Sequence, residues 1–129
     1  MQAKDIMETM VQSVPPEMSL HEFEEFLSQE GISGAPVKSA SGSVIGIVSK
    51  TDLVNTLRFR ESEKFSVILG PAITVGDIMT YDVVTVTPDT SVREIAQLMV
   101  DQEIHRVLVG SRKNVVGIIS AFDLLELVH

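Results

Sequence analysis

Two short segments place hydroxyls and a carboxylate directly after an apolar run. One is Gly46-Ile47-Val48-Ser49-Lys50-Thr51-Asp52, and the other is Gly117-Ile118-Ile119-Ser120-Ala121-Phe122-Asp123. In both, the run gives way to a helical stripe at the Ser and the Asp. Ser, Thr and Asp at a helix start accept hydrogen bonds from the free amides of the first turn. A carboxylate has several acceptor positions, so the same Asp is also able to receive ligand hydroxyls. Farther along stands His105-Arg106, a local basic pair in an acidic chain. Arg presents a fixed fork of donors that matches phosphate. An exposed pair of this kind standing alone reads first as solvated surface.

These residues do not assemble into a catalytic pattern. There is no phosphate loop of the GxxxxGK type, no GxGxxG and no nucleophile elbow. Asp52 and Asp123 occupy equal positions, and nothing in their flanks singles one out as an acid. The chain has no cysteine, which removes disulfides, thiolate zinc sites, iron–sulfur clusters and a thiol nucleophile. His21 stands beside Glu22, Glu24 and Glu25, but no second histidine follows at ligand spacing. That run reads as the wet face of a helix. We therefore expect no enzyme and no metal site.

Eighteen Asp and Glu against ten Lys and Arg give a net charge of −8, which argues against a nucleic-acid partner. Apolar residues make up 44% of the 129, enough for a core. Apolar stretches are far shorter than the roughly 20 residues of a membrane helix. The opening MQAKDIMETM lacks the apolar region of a signal peptide. A soluble cytoplasmic domain is the expectation.

The elements that must hold these segments occur twice. Asp5-Ile6-Met7 recurs as Asp77-Ile78-Met79, an offset of 72. Val11, Val14, Pro16, Ser19, Glu22, Ile32, Val37 and Ser39 recur at the same offset. After one gap the offset is 71, and Val44, Gly46, Ile47, Ser49, Asp52 and Leu53 recur. Each copy predicts the order β-α-β-β-α. A short extended stretch, Val11–Val14 or Val83–Val86, ends at a proline. A helix then starts on a Ser-x-x-Glu capping box at Ser19 or Ser91. Its inward stripe is Leu20, Phe23 and Leu27, or Val92, Ile95, Ala96 and Met99. Gly31 ends the first of these helices.

A hairpin follows, with turns at Ser39–Ser43 and Gly110–Asn114. The last helix starts near Asp52 or Asp123, with Leu53 and Leu57, or Leu124 and Leu127, inward. The methionines read as core fill, with Met7 and Met79 at equal positions edging the clefts. Residues 1–57 and 75–129 are the two repeats, and 58–74 is an ordered connector whose Phe65, Val67, Ile68, Leu69 and Ile73 need cover from water. A unit this small is marginal alone. Two such α/β units packed sheet to sheet, with pseudo-twofold symmetry, would bury both apolar faces.

This pattern resembles the CBS (cystathionine β-synthase) domain in a tandem pair, the Bateman module. The matching text in the second half is DIM, then V.TVTPDTSVREIAQLM, IHRVLV and VVGIISAFDLL; the first half carries V.SVPPEMSLHEFEEFL, ISGAPV and VIGIVSKTDLV. The resemblance implies a regulatory module that binds an adenine nucleotide (AMP, ADP or ATP) in the cleft between repeats and signals to a partner. It implies ribose on Asp52 and phosphate on Ser49, Thr51, His105 and Arg106, with Ile47, Val84 and Ile104 lining the adenine pocket and Thr80 nearby. The pseudo-symmetric site would use Ser120, Asp123, Ile118, Gln12, Gly34 and Ala35. Ser33-Gly34 stands there in place of His-Arg, and Phe122 stands where the family pattern prefers Thr or Ser, so the two sites should be unequal. The resemblance also implies a homodimer of modules through the terminal helices, and an effector on another chain. Two alternatives are an S-adenosylmethionine binder and a structural or dimerisation module without nucleotide, its cleft plugged by Phe122.

Overall fold

The computed structural model describes residues 1–59 and 73–128. Phe65, Val67, Ile68 and Leu69, expected in an ordered connector, lie outside the described residues, as does the Leu57 side chain. The chain forms two compact units. Unit 1 comprises Met1–Val11 and Val83–His129, and unit 2 comprises Gln12–Asp82.

Unit 2 holds α2 (Leu20–Glu30), β1 (Gly34–Lys38), β2 (Val44–Ser49), α3 (Lys50–Phe59) and the short α4 (Val75–Ile78). Unit 1 holds α1 (Ala3–Ile6), β3 (Thr85–Val86), α5 (Val92–Gln102), β4 (Arg106–Gly110), β5 (Val115–Ser120) and α6 (Ala121–Glu126). Both are α/β, each a small sheet with helices. The duplication extends to hydrogen-bond register. Gly34 faces Ser49 and Pro36 faces Ile47 in the antiparallel β1–β2 pair; Arg106 faces Ser120 and Leu108 faces Ile118 in β4–β5. Each hairpin carries a register shift at the same place, Val37/Lys38 and Val109/Gly110. The leading stretches pair in parallel on the other side, Val14 with Val37 and Val86 with Val109. They are shorter than expected: a single bridge at Val14 and two residues at Thr85–Val86. Pro15, Pro16 and Pro88 follow closely, and proline lacks the N–H that a ladder needs.

The leading DIM segments are exchanged. Residues 74–80, which open the second repeat, pack in unit 2 with the body of the first. Residues 2–8, which open the first repeat, pack in unit 1 with the body of the second. Ile47 N–H donates to the Thr80 carbonyl at 2.9 Å, and Thr80 N–H donates back at 2.8 Å. Glu8 and Ile118 make the equivalent pair at 2.9 and 3.0 Å. The DIM aspartates cap their own short helices: Asp5 Oδ2 accepts from Gln2 N–H at 2.8 Å, and Asp77 Oδ2 from Thr74 N–H at 2.9 Å. The methionines lie over glycines. A Cβ added at Gly46 would stand 2.6 Å from Met79 Sδ and 2.9 Å from the Thr80 carbonyl oxygen; one added at Gly117 would stand 2.6 Å from Met7 Sδ.

The expected stripes form the cores. Leu20, Phe23 and Leu27 are fully buried, as are Ile95 and, nearly so, Met99. Val14, Val37, Val48, Val75 and Met79 join Phe23 and Leu27 in one cluster. Ala3, Val86, Val107, Val109 and Ile119 join Ile95 and Met99 in the other. The final helices begin near the aspartates as expected, at Lys50 and Ala121, where Ser49 and Ser120 end the strand ladder and cap the helix. Two expectations need correction. Leu127 is not inward: it is 42% exposed, because α6 ends at Glu126. The capping box at Ser19 is complete, whereas at Ser91 only the forward half, from Glu94 N–H to Ser91 Oγ, is present among the described residues.

Gly31 ends α2 in the left-handed region at φ 66°, as expected. The same position after α5 is Glu103, at φ 53°. An L side chain pays about 1–2 kcal/mol there. Glu103→Gly should raise stability by about 0.5–1 kcal/mol, after the larger unfolded-state entropy of glycine is allowed for. Gly31→Ala should lower it. Urea denaturation of the two variants checks the opposite signs; equal signs would contradict this account of the helix ends. Gly46→Ala should cost about 1–3 kcal/mol. That substitution meets the Thr80 backbone as well as a flexible methionine, so its loss should exceed that of Gly117→Ala in the same measurement.

Candidate functional site

The strand-to-helix junction of each unit carries a candidate Ser and Asp. In unit 2, β2 ends at Ser49, which is buried. Asp52 Oδ2 accepts from Ser49 N–H at 2.7 Å and from its Oγ–H at 3.1 Å, and Ser49 Oγ accepts from Asp52 N–H at 3.4 Å. The two side chains thus form a capping box with Asp in the place of the usual Glu. Lys50 N–H donates to the Ser33 carbonyl at 2.9 Å, which ties the junction to the start of β1. In unit 1, Asp123 Oδ2 accepts from Ser120 N–H at 2.8 Å, and Ser120 Oγ accepts from Asp123 N–H at 3.3 Å. Ala121 N–H donates to the His105 carbonyl at 2.8 Å.

Capping by Asp52 and Asp123 is therefore observed directly. It engages one oxygen, Oδ2, in both junctions. The side chains around the two junctions differ. In unit 1, Arg106 faces Ser120 across the hairpin, with His105 exposed beside it. In unit 2 the Arg106 position is Gly34, which faces Ser49. Thr51 is exposed on the first turn of α3, as is Lys50.

The other sequence-predicted residues fall as follows. Ile47 and Ile118 are half-buried, and each is bonded through both main-chain groups to an exchanged DIM segment. Thr80 is the partner of Ile47 and is exposed. Val84 and Ile104 are half-buried against the unit 1 core. Gln12 is exposed on unit 2, where its Nε2 donates to Glu30 Oε2 at 3.0 Å. Ala35 is 1% exposed, and its methyl belongs to the unit 2 core. The structure brings Ser49, Thr51, Asp52, Ile47, Thr80, Gln12, Gly34 and Ala35 into unit 2. It brings His105, Arg106, Val84, Ile104, Ser120, Asp123 and Ile118 into unit 1. Each of the two expected ligand groups therefore draws residues from both units. Phe122, expected as a plug, is 67% exposed. It sits on the first turn of α6, one residue before the inward-tied Asp123, and does not fill the interior of its unit.

Sequence reasoning missed the Ser-x-x-Asp boxes at both junctions, although it read the Ser-x-x-Glu boxes elsewhere. The three-residue spacing was the available signal. It also missed that Met7 and Met79 serve to cover Gly117 and Gly46.

The model of the CBS domain matches residues 3–58 and 75–129. The chain is a tandem CBS-domain protein. An uncharacterized protein of Methanocaldococcus jannaschii is 30% identical, with 74% of this chain and 72% of that protein aligned. The inosine-5'-monophosphate dehydrogenase of Halobacterium salinarum is also 30% identical over 90% of this chain, which spans only 21% of that enzyme. Among solved structures, the CBS domain pair of protein MJ0100, in complex with 5'-methylthioadenosine and S-adenosyl-L-methionine, superposes with a TM-score of 0.82. It is 25% identical, and all of each chain is covered. In this CBS pair, no helix among the described residues is long and apolar enough to cross a membrane.

The capping geometry has a consequence in the absence of any ligand. Ser49→Ala and Ser120→Ala should each cost about 1 kcal/mol of stability. Asp52→Ala should cost a similar amount, since it opens the same box. Denaturation of ligand-free protein checks this; unchanged midpoints would contradict the capping role.

Proposed function

We propose that this CBS pair is a non-catalytic regulatory module that binds an adenosyl compound without a covalent bond. Asp52 and Asp123 would accept the ribose hydroxyls. The observation that carries the reading is the pair of aspartates held by capping bonds at repeated strand-to-helix junctions. It is supported by MJ0100, whose CBS pair is in complex with two adenosyl ligands. Where the ligand is AMP, ADP or ATP, the phosphates would fall to Ser49, Thr51, His105 and Arg106. Arg suits them by its donor fork, and the first turn of α3 adds free amides. Ile47, Val84, Ile104 and Ile118 are the apolar residues for the base, with Thr80, Ser120, Gln12, Gly34 and Ala35 completing the set. The unequal surroundings, Arg106 against Gly34 and Thr51 against Phe122, predict unequal affinities.

Regulation requires two conformations that differ in affinity for the ligand. The output would pass to an effector protein or through a homodimer of modules. Leu53, Leu57, Leu124 and Leu127 are candidates for that face, and the 42% exposure of Leu127 suits it. A cytoplasmic setting is consistent with a nucleotide ligand.

Thermal melting with AMP, ADP, ATP, 5'-methylthioadenosine and S-adenosylmethionine tests the proposal. A ligand at 100 times its dissociation constant adds about 2.7 kcal/mol. We expect an upward shift with at least one adenosyl compound, reduced more by Asp52→Ala than by Asp123→Ala. Arg106→Ala should reduce the shift with phosphorylated ligands and spare that with 5'-methylthioadenosine. No shift with any of these compounds, in protein stripped of carried-over ligand, would favour a structural module instead.

A further inference from the structure

We propose that the first DIM segment, Met1–Val11, can dock on unit 1 of a second copy of this chain, giving a segment-exchanged dimer. The argument starts from chain connectivity. Unit 2 is one continuous stretch, Gln12–Asp82, so its docked segment, residues 74–80, belongs to the same stretch. Unit 1 is discontinuous. Its docked segment reaches the rest of the unit, which begins at Val83, only through the whole of unit 2.

The segment is held to unit 1 by contacts that a second copy would reproduce unchanged. Ala3 N–H donates to the Thr90 carbonyl at 2.8 Å, Lys4 N–H to Pro88 at 3.0 Å, and Val92 N–H to Met1 at 3.0 Å. The Glu8–Ile118 pair closes the outer edge of β5. Ala3 is fully buried, and Ile6 and Met7 pack on the same core. Lys4 Nζ lies 3.1 Å from Asp89 Oδ1. The segment is a short helix with apolar anchors, followed by a single bridge on the sheet edge, and all of these contacts are open to a segment from a separate chain. The same docking occurs in unit 2 with a segment that enters from a different part of the chain, so the geometry does not depend on the route of entry.

The exit from the segment suits exchange. Residues 9–13 form no helix or strand, and Thr9, Met10, Gln12 and Ser13 are exposed. Opening there loses no buried side chain, and two copies exchanging reciprocally close a twofold dimer with no new interface required. Residue choice also directs the segment to unit 1. The position of Lys4 is Gly76 in the other segment, and a Cβ at Gly76 would stand 3.2 Å from both Cβ and O of Pro16. Residues 2–8, carrying a lysine there, fit unit 2 less well than residues 74–80 do.

The absence of cysteine makes a direct test clean. Full-length Lys4→Cys and Asp89→Cys chains are mixed in equal amounts, unfolded together, refolded at low and high protein concentration, and treated with a short bis-maleimide. The exposed Lys4–Asp89 ion pair contributes little, so its loss should leave docking intact. The doubly substituted Lys4→Cys/Asp89→Cys chain serves as the reference and should cross-link within itself. The expected result is a covalent dimer of the mixed chains whose share rises with refolding concentration. Glu17→Cys in place of Asp89→Cys, at the matching position of unit 2, should give none. No dimer from the mixture, or equal dimer with the Glu17→Cys partner, would overturn the proposal. So would failure of the doubly substituted chain to cross-link at all.

Discussion

The structure depends on the closure of a sheet edge by two backbone hydrogen bonds. Each repeat's hairpin is narrow, with β1 or β4 flanked on one side by a leading stretch and on the other by β2 or β5. The outer strand would present unpaired groups to water and to other chains. Thr80 closes the edge at Ile47, and Glu8 closes it at Ile118. The closure demands a close approach, which is why glycine precedes each isoleucine: Met79 and Met7 lie where a Cβ would stand. The repeated identities Asp-Ile-Met and Gly-Ile are thus two halves of one contact, separated in sequence and joined by exchange.

That closure sets the position of the candidate site. Ile47 and Ile118 are fixed by it, and two residues later Ser49 and Ser120 end the strand and cap a helix. The aspartate one turn on is bound into the cap, so its carboxylate is oriented before any ligand arrives. Pre-orientation lowers the ordering cost of binding. Under the proposed function, removing the carboxylate would act on stability and on binding at once, so the two effects must be measured separately. The junctions share this frame and differ in what surrounds it. Arg106 and His105 stand in unit 1 where Gly34 and Ser33 stand in unit 2, and the exposed Phe122 replaces the exposed Thr51.

The sequence carried the duplication, the element order and the core stripes, because these rest on local periodicity and on spacing within one repeat. Leu20, Phe23 and Leu27 could be placed from their helical spacing alone. The exchange of the DIM segments could not, since each copy is equally able to pair with either body on paper. Only small features, such as Gly76 beside Pro16, distinguish the pairings. The last helix starts near the aspartates as its sequence suggests, but Ser and Asp are both good caps, and the spacing shows which is the cap only when read as a box. Leu127 followed the apolar stripe, but the helix ended one residue short of it. The aspartates read as capping and as binding candidates together, and capping is what the structure shows.

The central claim is that these carboxylates receive the hydroxyls of a ribose. Calorimetric titration of the unsubstituted chain with AMP and with its 2',3'-dideoxy counterpart tests this most directly, since the two share base and phosphate. The account predicts binding of AMP and a loss of at least tenfold without the hydroxyls, as expected when about 1.5–3 kcal/mol of charge-assisted hydrogen bonding is removed. Equal affinity for the two compounds, or no binding of AMP or of any other adenosyl ribonucleoside, would contradict it.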